Sequence, residues 1–300
     1  MLFVFLLLLY LAIAILVARA LLRNDILPRK KPSQYPEILD WYKHQNFSFC
    51  NKNNKILKGR YIKAANNPSN KTLLLLHERL WSRLTIIDQT KFFVDAWYHV
   101  LTYDQRSHGD SDNDLITYGA EEGEDLSCAL AFFKTLPDIN REQFFAIGFN
   151  MGWCAMVCCP DYEQGPVFKA MVLEGIDAHA FDVGNRMIIK KCWPIIGHLI
   201  ARIFFSVWSF IVSRGRFYHE KMLRNILRLS HTPKLFIQWE KDPLVTADNA
   251  QKIYKTSPNP KQLRKSEWAG HTDSFMVNSE KYKQKVLTFL EENTGEAQVD

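Results

Sequence analysis

The chain has 300 residues, 47% of them hydrophobic and 23% charged, with a formal net charge of +6. That is enough apolar material for a large core, which a single α/β sheet of this length accommodates. Its lysines and arginines are spread out, with no basic stripe interleaved by aromatic residues, which excludes nucleic-acid binding as a leading function.

Six cysteines are present, at Cys50, Cys128, Cys154, Cys158, Cys159 and Cys192, without metal-ligand spacing. Cys158 and Cys159 adjoin on an apolar segment, where a free thiol behaves as a small hydrophobe. This usage suits a reducing compartment better than a disulfide framework.

Residues 2–17 are uninterruptedly apolar, and the run extended to residue 22 approaches the ~20 residues that cross a bilayer. Arg19, Arg23, Arg29, Lys30 and Lys31 follow it and none precedes it. An uncleaved anchor is therefore preferred to a cleavable signal peptide, although Ala18-Arg19-Ala20 resembles a cleavage site. The trailing charges place the globular part on the cytoplasmic side. Pro28, Pro32 and Pro36 make the next stretch an extended linker, with a short helix at residues 37–44. Residues 47–50 and 56–64 read as a hairpin, and residues 66–70 as a loop.

From Lys71 strands alternate with helices. Strands are expected at residues 73–76, 98–103, 144–147, 169–173, 234–239 and 262–268, with helices at 84–97, 121–133 and 280–291. Repeated βα units of this spacing predict a mostly parallel sheet covered by helices on both faces. Residues 178–230 interrupt the alternation. Within them residues 193–212 are strongly apolar but contain His198 and Arg202, so an amphipathic helical cap is preferred to a second membrane span. Arg214, Arg216 and Lys221 follow and would suit acidic headgroups.

The central stretch is Gln143–Pro160, QFFAIGFNMGWCAMVCCP. A short apolar strand turns sharply at Gly148-Phe149-Asn150-Met151-Gly152 into an apolar helix that Pro160 ends. Two glycines flanking residue 150 suit a nucleophile elbow, where a residue sits on a strained bend above a sheet. The expected serine is replaced by Asn150, whose amide cannot be activated to attack a carbonyl. An ordinary buried βα turn is the competing reading.

Taken with the Tyr103-Asp104-Gln105-Arg106-Ser107-His108-Gly109-Asp110-Ser111 segment and a late Ala269-Gly270-His271, this elbow gives the chain a resemblance to the α/β-hydrolase superfamily. It looks most like the membrane-anchored, single-span members with a helical cap inserted before the last two strands. The resemblance covers about residues 73–290. With the anchor, linker and cap read above, the expected domain plan is anchor (1–23), linker and short helix (24–46), core (47–177), cap (178–231), core (232–293) and disordered tail (294–300). The resemblance further implies that Asn150 occupies the nucleophile position, Asp242 the triad acid and His271 the base, with Asp177 the alternative acid. Met151, Glu78 and Arg79 fall at oxyanion-hole positions. His108 is read as structural, Glu174 as a partner in an ion pair, and His77-Glu78 as no zinc motif, since no second histidine follows at helical spacing. No cofactor or metal is implied.

The departures from the family pattern lie where the chemistry would occur. Glu78, Ser107 and Trp239 replace glycines, and a side chain at each is expected to alter its loop. Glu78 would also oppose a developing oxyanion. Three readings follow. One is an inactive or weak hydrolase that serves as a ligand-binding or scaffolding module. The second is an active hydrolase using Asn150, deamidated to Asp or positioning water, with Asp242 and His271. The third is a lipid-surface protein acting through its cap. An anchored domain with an apolar cap favours an acyl or lipid-like ligand, and residues 2–22 a bilayer partner.

Overall fold

A computed structural model of the chain describes residues 12, 16, 42–64, 70–137, 139–176, 225–229, 231–240, 242, 245, 247–266, 274–277 and 279–295. The linker, the apolar stretch 193–212, Asp177 and His271 lie outside the described residues, as does the anchor apart from Ala12 and Leu16, which are helical. Among the described residues no helix is long and apolar enough to cross a membrane.

Eight strands form one sheet in the order β1-β2-β4-β3-β5-β6-β7-β8. They are β1 (His44–Cys50), β2 (Ile56–Ile62), β3 (Thr72–Leu76), β4 (His99–Tyr103), β5 (Phe144–Phe149), β6 (Met171–Glu174), β7 (Lys234–Trp239) and β8 (Lys261–Ser266). β1–β2 and β2–β4 are antiparallel and every other pair is parallel. The helix expected at residues 37–44 does not reach its C-terminal end. His44 pairs with Ile62 as the first residue of β1, and the Lys63 N–H extends the ladder to the Lys43 carbonyl at 2.9 Å.

Side-chain alternation divides the core in two. Leu74, Leu76, Leu101, Tyr103, Ala146, Met171, Leu173 and Phe236 face one side. There they meet α2 (Ala120–Phe133), α3 (Met151–Cys158) and α4 (Ala247–Thr256). Leu73, Leu75, Val100, Phe145, Ile147, Val172, Leu235 and Ile237 face the other, against α1 (Ile87–Asp95), α5 (Ser274–Val277) and α6 (Ser279–Glu292). The period of two is what a pleated strand buried on both faces requires.

The helices carry matching stripes. α2 buries Leu126, Ala129, Leu130 and Phe133, and α6 buries Tyr282, Val286, Phe289 and Leu290, each at helical spacing. The Leu, Val and Phe side chains among them each contribute about 1.5–3 kcal/mol by leaving water. α2 starts where the Glu122 carboxylate reaches back to the N–H groups of Thr117 and Gly119, both at 2.8 Å. α1 is shorter than the expected 84–97, because Ser82–Thr85 form a turn and Trp97 takes φ +66°. α4 was not expected, although Ala250 and Ile253 already show its buried spacing.

Two boundaries differ from the sequence reading. Asn225, Ile226 and Leu229, placed in the cap, are buried, and Ile226 and Leu229 pack with the α3 face. Thr294, placed in the tail, is buried, and its carbonyl accepts from Gln143 Nε2 at 2.8 Å.

Strand order locates the working end of the sheet. After β3 the chain moves to β4 through α1, on one face. After β5 it moves the opposite way to β6 through α3, on the other face. The carboxyl ends of the adjacent strands β3 and β5 therefore flank a topological switch point, the usual crevice for ligands in open α/β sheets.

Candidate active site

Asn150 sits at that switch point, between β5 and α3, with φ 42° and ψ −109°. Positive φ is uncommon for a residue with a Cβ, and such strain costs on the order of 1–3 kcal/mol. The bend is held on both sides: the Asn150 N–H donates to the Glu174 carbonyl at 2.9 Å, and its carbonyl accepts from the Trp153 N–H at 3.1 Å. Both flanking glycines are required by packing. A Cβ on Gly148 would lie 2.4 Å from the Trp153 nitrogen, and one on Gly152 would lie 2.3 Å from the Leu76 carbonyl oxygen. The segment is a crossed, strained elbow, which an ordinary βα turn does not need.

Met151 opens α3, where first-turn N–H groups lack intrahelical acceptors. The Gly152–Leu76 contact seats this turn on the end of β3, two residues before Glu78. Glu78 is buried, and Arg79 lies over the Tyr118 ring at 5.8 Å. The loop after β3 is laced to the loop after β4 by two histidines. His77 accepts the Gln105 N–H at Nε2 (3.0 Å) and donates from Nδ1 to the Glu78 carbonyl (2.6 Å). His108 accepts the Leu80 N–H at Nε2 (3.0 Å) and donates from Nδ1 to the Arg106 carbonyl (2.7 Å). Their rings lie 5.1 Å apart.

This bonding uses both nitrogens of each neutral ring. Burial, aided by nearby Arg83, pushes His77 down to about 4. Burial and the neighbouring His77 push His108 down to about 3. His108 is structural, as expected. His77 shares that role, which its position after the strand did not reveal.

The loop after β4 is equally fixed. Arg106 makes a bidentate pair with Asp125 on α2, both contacts at 2.7 Å, and Asn51 donates to the same carboxylate at 2.8 Å. Burial alone would lower the Arg106 pKa, but the Asp125 hydrogen bond and the Glu122 charge outweigh it and hold the guanidinium ionised. Arg83 pairs with Asp104 and, at 2.6 Å, with Asp110. Ser107 takes φ +61°, the region a glycine would enter freely, while its hydroxyl donates to the Asp114 carbonyl and accepts the Asp114 N–H at 2.8 Å.

Trp239 and Glu174 are held by contacts between neighbouring parts of the sheet. The tryptophan in place of glycine is accommodated across the sheet by Gly175 (φ +66°), where a Cβ would lie 2.3 Å from the indole. Glu174 is fully buried and accepts from Trp239 Nε1 at 2.8 Å and Tyr282 Oη at 2.7 Å. Both donors are neutral, so among the described residues neutral hydrogen bonds stand where an ion pair was expected. Burial raises the Glu174 carboxyl pKa, and the Tyr282 and Trp239 hydrogen bonds oppose that rise.

Asp242 follows β7, two strands from the elbow, and its Oδ1 accepts the Val245 N–H at 3.0 Å in the turn leading to α4. Asn150 and Met151 thus follow β5, and Glu78 and Arg79 follow the adjacent β3, at the carboxyl end of the sheet. Asp242 lies on the same, carboxyl-terminal side of the sheet. Among the described residues no cluster of His, Cys, Asp and Glu is arranged to hold a metal.

The esterase Pf2001 of Pyrococcus furiosus superposes with a TM-score of 0.73 at 22% identity, over 90% of this chain and 99% of that one. The α/β hydrolase GrgF of Penicillium sp. sh18 superposes with a TM-score of 0.64 at 17% identity, over 85% and 100%. The esterase EaEST of Exiguobacterium antarcticum gives 0.59 at 13%, over 82% and 100%.

This is the α/β-hydrolase fold.

In sequence, the uncharacterized protein YqkD of Bacillus subtilis (strain 168) is 23% identical over 241 residues, covering 78% of this chain and 75% of that protein. No protein-family model matches the sequence.

Proposed function

We propose that the chain is a membrane-anchored α/β-hydrolase-fold protein with a degenerate catalytic site, binding an acyl or lipid-like ligand as an inactive or weak hydrolase. The observation that carries this reading is Asn150 on a strained turn between β5 and α3, flanked by Gly148 and Gly152. That geometry would suit presentation of a nucleophile, but the side chain supplies no ionisable oxygen. Glu78, in the loop beside the elbow, adds a carboxylate near the place where a tetrahedral oxyanion would develop. The apolar run at residues 2–22 with the basic residues behind it supports a bilayer anchor, and the dispersed charge supports no nucleic-acid partner.

Labelling with a broad fluorophosphonate tests the reading. The native chain is expected to stay unlabelled and to hydrolyse short acyl esters no faster than a His271→Ala control. Asn150→Ser alone is expected to recover little, because losing one oxyanion donor costs roughly 3–4 kcal/mol and an added charge is no milder. Asn150→Ser with Glu78→Gly is expected to recover more than the product of the single effects, since groups acting as a unit are non-additive. Peptide mass analysis of residue 150 accompanies the assay. An aspartate there, or His271-dependent turnover by the native chain, would replace this reading with that of an active hydrolase using Asp or an activated water.

A further inference from the structure

The two edges of the sheet are defended differently. β8 reads KQLRKS, and its Lys261, Arg264 and Lys265 repel a second strand of the same kind. β1 reads HQNFSFC and carries no Lys, Arg, Asp, Glu or Pro over seven residues.

Register identifies the open groups of β1. It pairs with β2 through Gln45↔Tyr61, Phe47↔Gly59 and Phe49↔Leu57. The ladder continues at both ends, from the Lys63 N–H to the Lys43 carbonyl and from the Asn51 N–H to the Lys55 carbonyl, each at 2.9 Å. Odd-numbered residues of β1 therefore exchange bonds with β2. β2 gives the same result from its far side: the Lys58 carbonyl accepts the Asp104 N–H at 2.8 Å, so even-numbered residues there turn towards β4. The N–H and C=O groups of His44, Asn46, Ser48 and Cys50 consequently point out of the sheet. Among the described residues nothing pairs with them across the edge.

This edge is also rigid. Phe47 packs on Phe132 and Phe133 of α2 with centroids 5.1 and 5.6 Å apart, and Asn46 Oδ1 accepts from Arg60 Nε at 2.8 Å. A strand already ordered loses little further entropy on pairing.

We propose that this edge is a homodimer interface, with β1 pairing antiparallel to β1 of a second copy about a two-fold axis at Phe47. Asn46 then faces Ser48 of the second copy, and His44 faces Cys50 of the second copy. Every outward group meets its complement in about eight interstrand hydrogen bonds. The two-fold closes the assembly at two chains. The β8 edge, which would extend it, is guarded by its three cations. This inference does not depend on the proposed activity.

The full chain in mild detergent provides the test. In a hydrogen-bonded antiparallel pair, residues 44 and 50 of opposite copies have Cα atoms about 5.5 Å apart, within disulfide range. His44→Cys is expected to form a disulfide-linked dimer on oxidation, whereas Asn53→Cys in the hairpin turn is not. Ser48→Pro removes only an outward N–H and leaves the β1–β2 ladder intact. It is expected to weaken dimerisation in sedimentation by about tenfold or more, with an unchanged melting curve. If Ser48→Pro does not fold, Ser48→Lys replaces it, placing like charges diagonally across the axis. A native chain that sediments as a monomer at tens of micromolar overturns the proposal. So does a dimer that both variants leave unchanged. A monomer whose amides at 44, 46, 48 and 50 exchange slowly would assign the edge to a segment of the same chain and overturn it equally.

Discussion

The indole of Trp239 occupies the volume that a side chain at residue 175 would need, with its Cη2 2.3 Å from a Cβ built on Gly175. The same indole donates to Glu174, whose carbonyl receives the elbow N–H. The ends of β6 and β7 and the elbow are therefore one packed unit. Gly175→Ala adds both overpacking and a left-handed alanine, and is expected to cost about 2–4 kcal/mol. In a Trp239→Ala background the same change is expected to cost at least about 1 kcal/mol less, because the clash is gone. Denaturant unfolding of the four chains measures the coupling, and additive effects would separate the two residues.

Arg106 and Asp125 bring the loop after β4 onto α2 as a buried ion pair. Removing one partner leaves the other charged and desolvated. Arg106→Met is expected to destabilise the fold by about 3–5 kcal/mol, and Arg106→Met with Asp125→Leu by clearly less than the sum. Thermal melting of the single and double variants checks this, and a single variant within about 1 kcal/mol of the native chain would contradict it.

The two laced histidines give stability a defined pH dependence. Their folded pKa values, about 4 for His77 and about 3 for His108, lie below the unfolded value of about 6.5. Below pH 6.5 the unfolded chain takes up protons that the folded chain refuses. Stability from this source is therefore complete above about pH 6.5 and falls as pH drops towards 4, by up to about 1.4 kcal/mol per pH unit for each ring. Glu174 acts in the opposite sense, since burial raises its folded pKa. Comparing the native chain with His108→Gln cancels the Glu174 contribution. Unfolding free energy between pH 6 and pH 4.5 is expected to fall less steeply in the variant, and equal slopes would place the uptake elsewhere.

The proposed anchor predicts that the full chain pellets with membranes and resists carbonate extraction. A chain starting at Pro28 is expected to be released as a folded domain. Cytosolic protease should reach the globular part of the full chain. A native chain recovered in the supernatant would remove the anchor, and protection from that protease would reverse its orientation.

The sequence by itself carried the local features. Short apolar runs at regular spacing located the strands from β3 to β8, and the period of 3.6 located the helices α1, α2 and α6, because both signals are written in neighbouring residues. The Gly-x-Asn-x-Gly turn located the elbow, because only residues without a Cβ fit beside the crossing backbone at Gly148 and Gly152. The helix α4 had the same kind of signal in Ala250 and Ile253, within a more polar stretch that obscured it.

What tertiary structure decided was every consequence of a missing glycine or a buried charge. Trp239 fits because Gly175 follows the end of the neighbouring strand, and Ser107 keeps a left-handed backbone because Asp114 returns to its hydroxyl. Glu174 meets Tyr282 from 108 residues away, and Arg106 meets Asp125 from the next helix. Strand order placed Asn150 and Glu78 on either side of one switch point, and left β1 rather than β8 as the uncharged edge. Such contacts join residues distant in the chain, and no local periodicity records which partner will complete a hydrogen bond or fill a void.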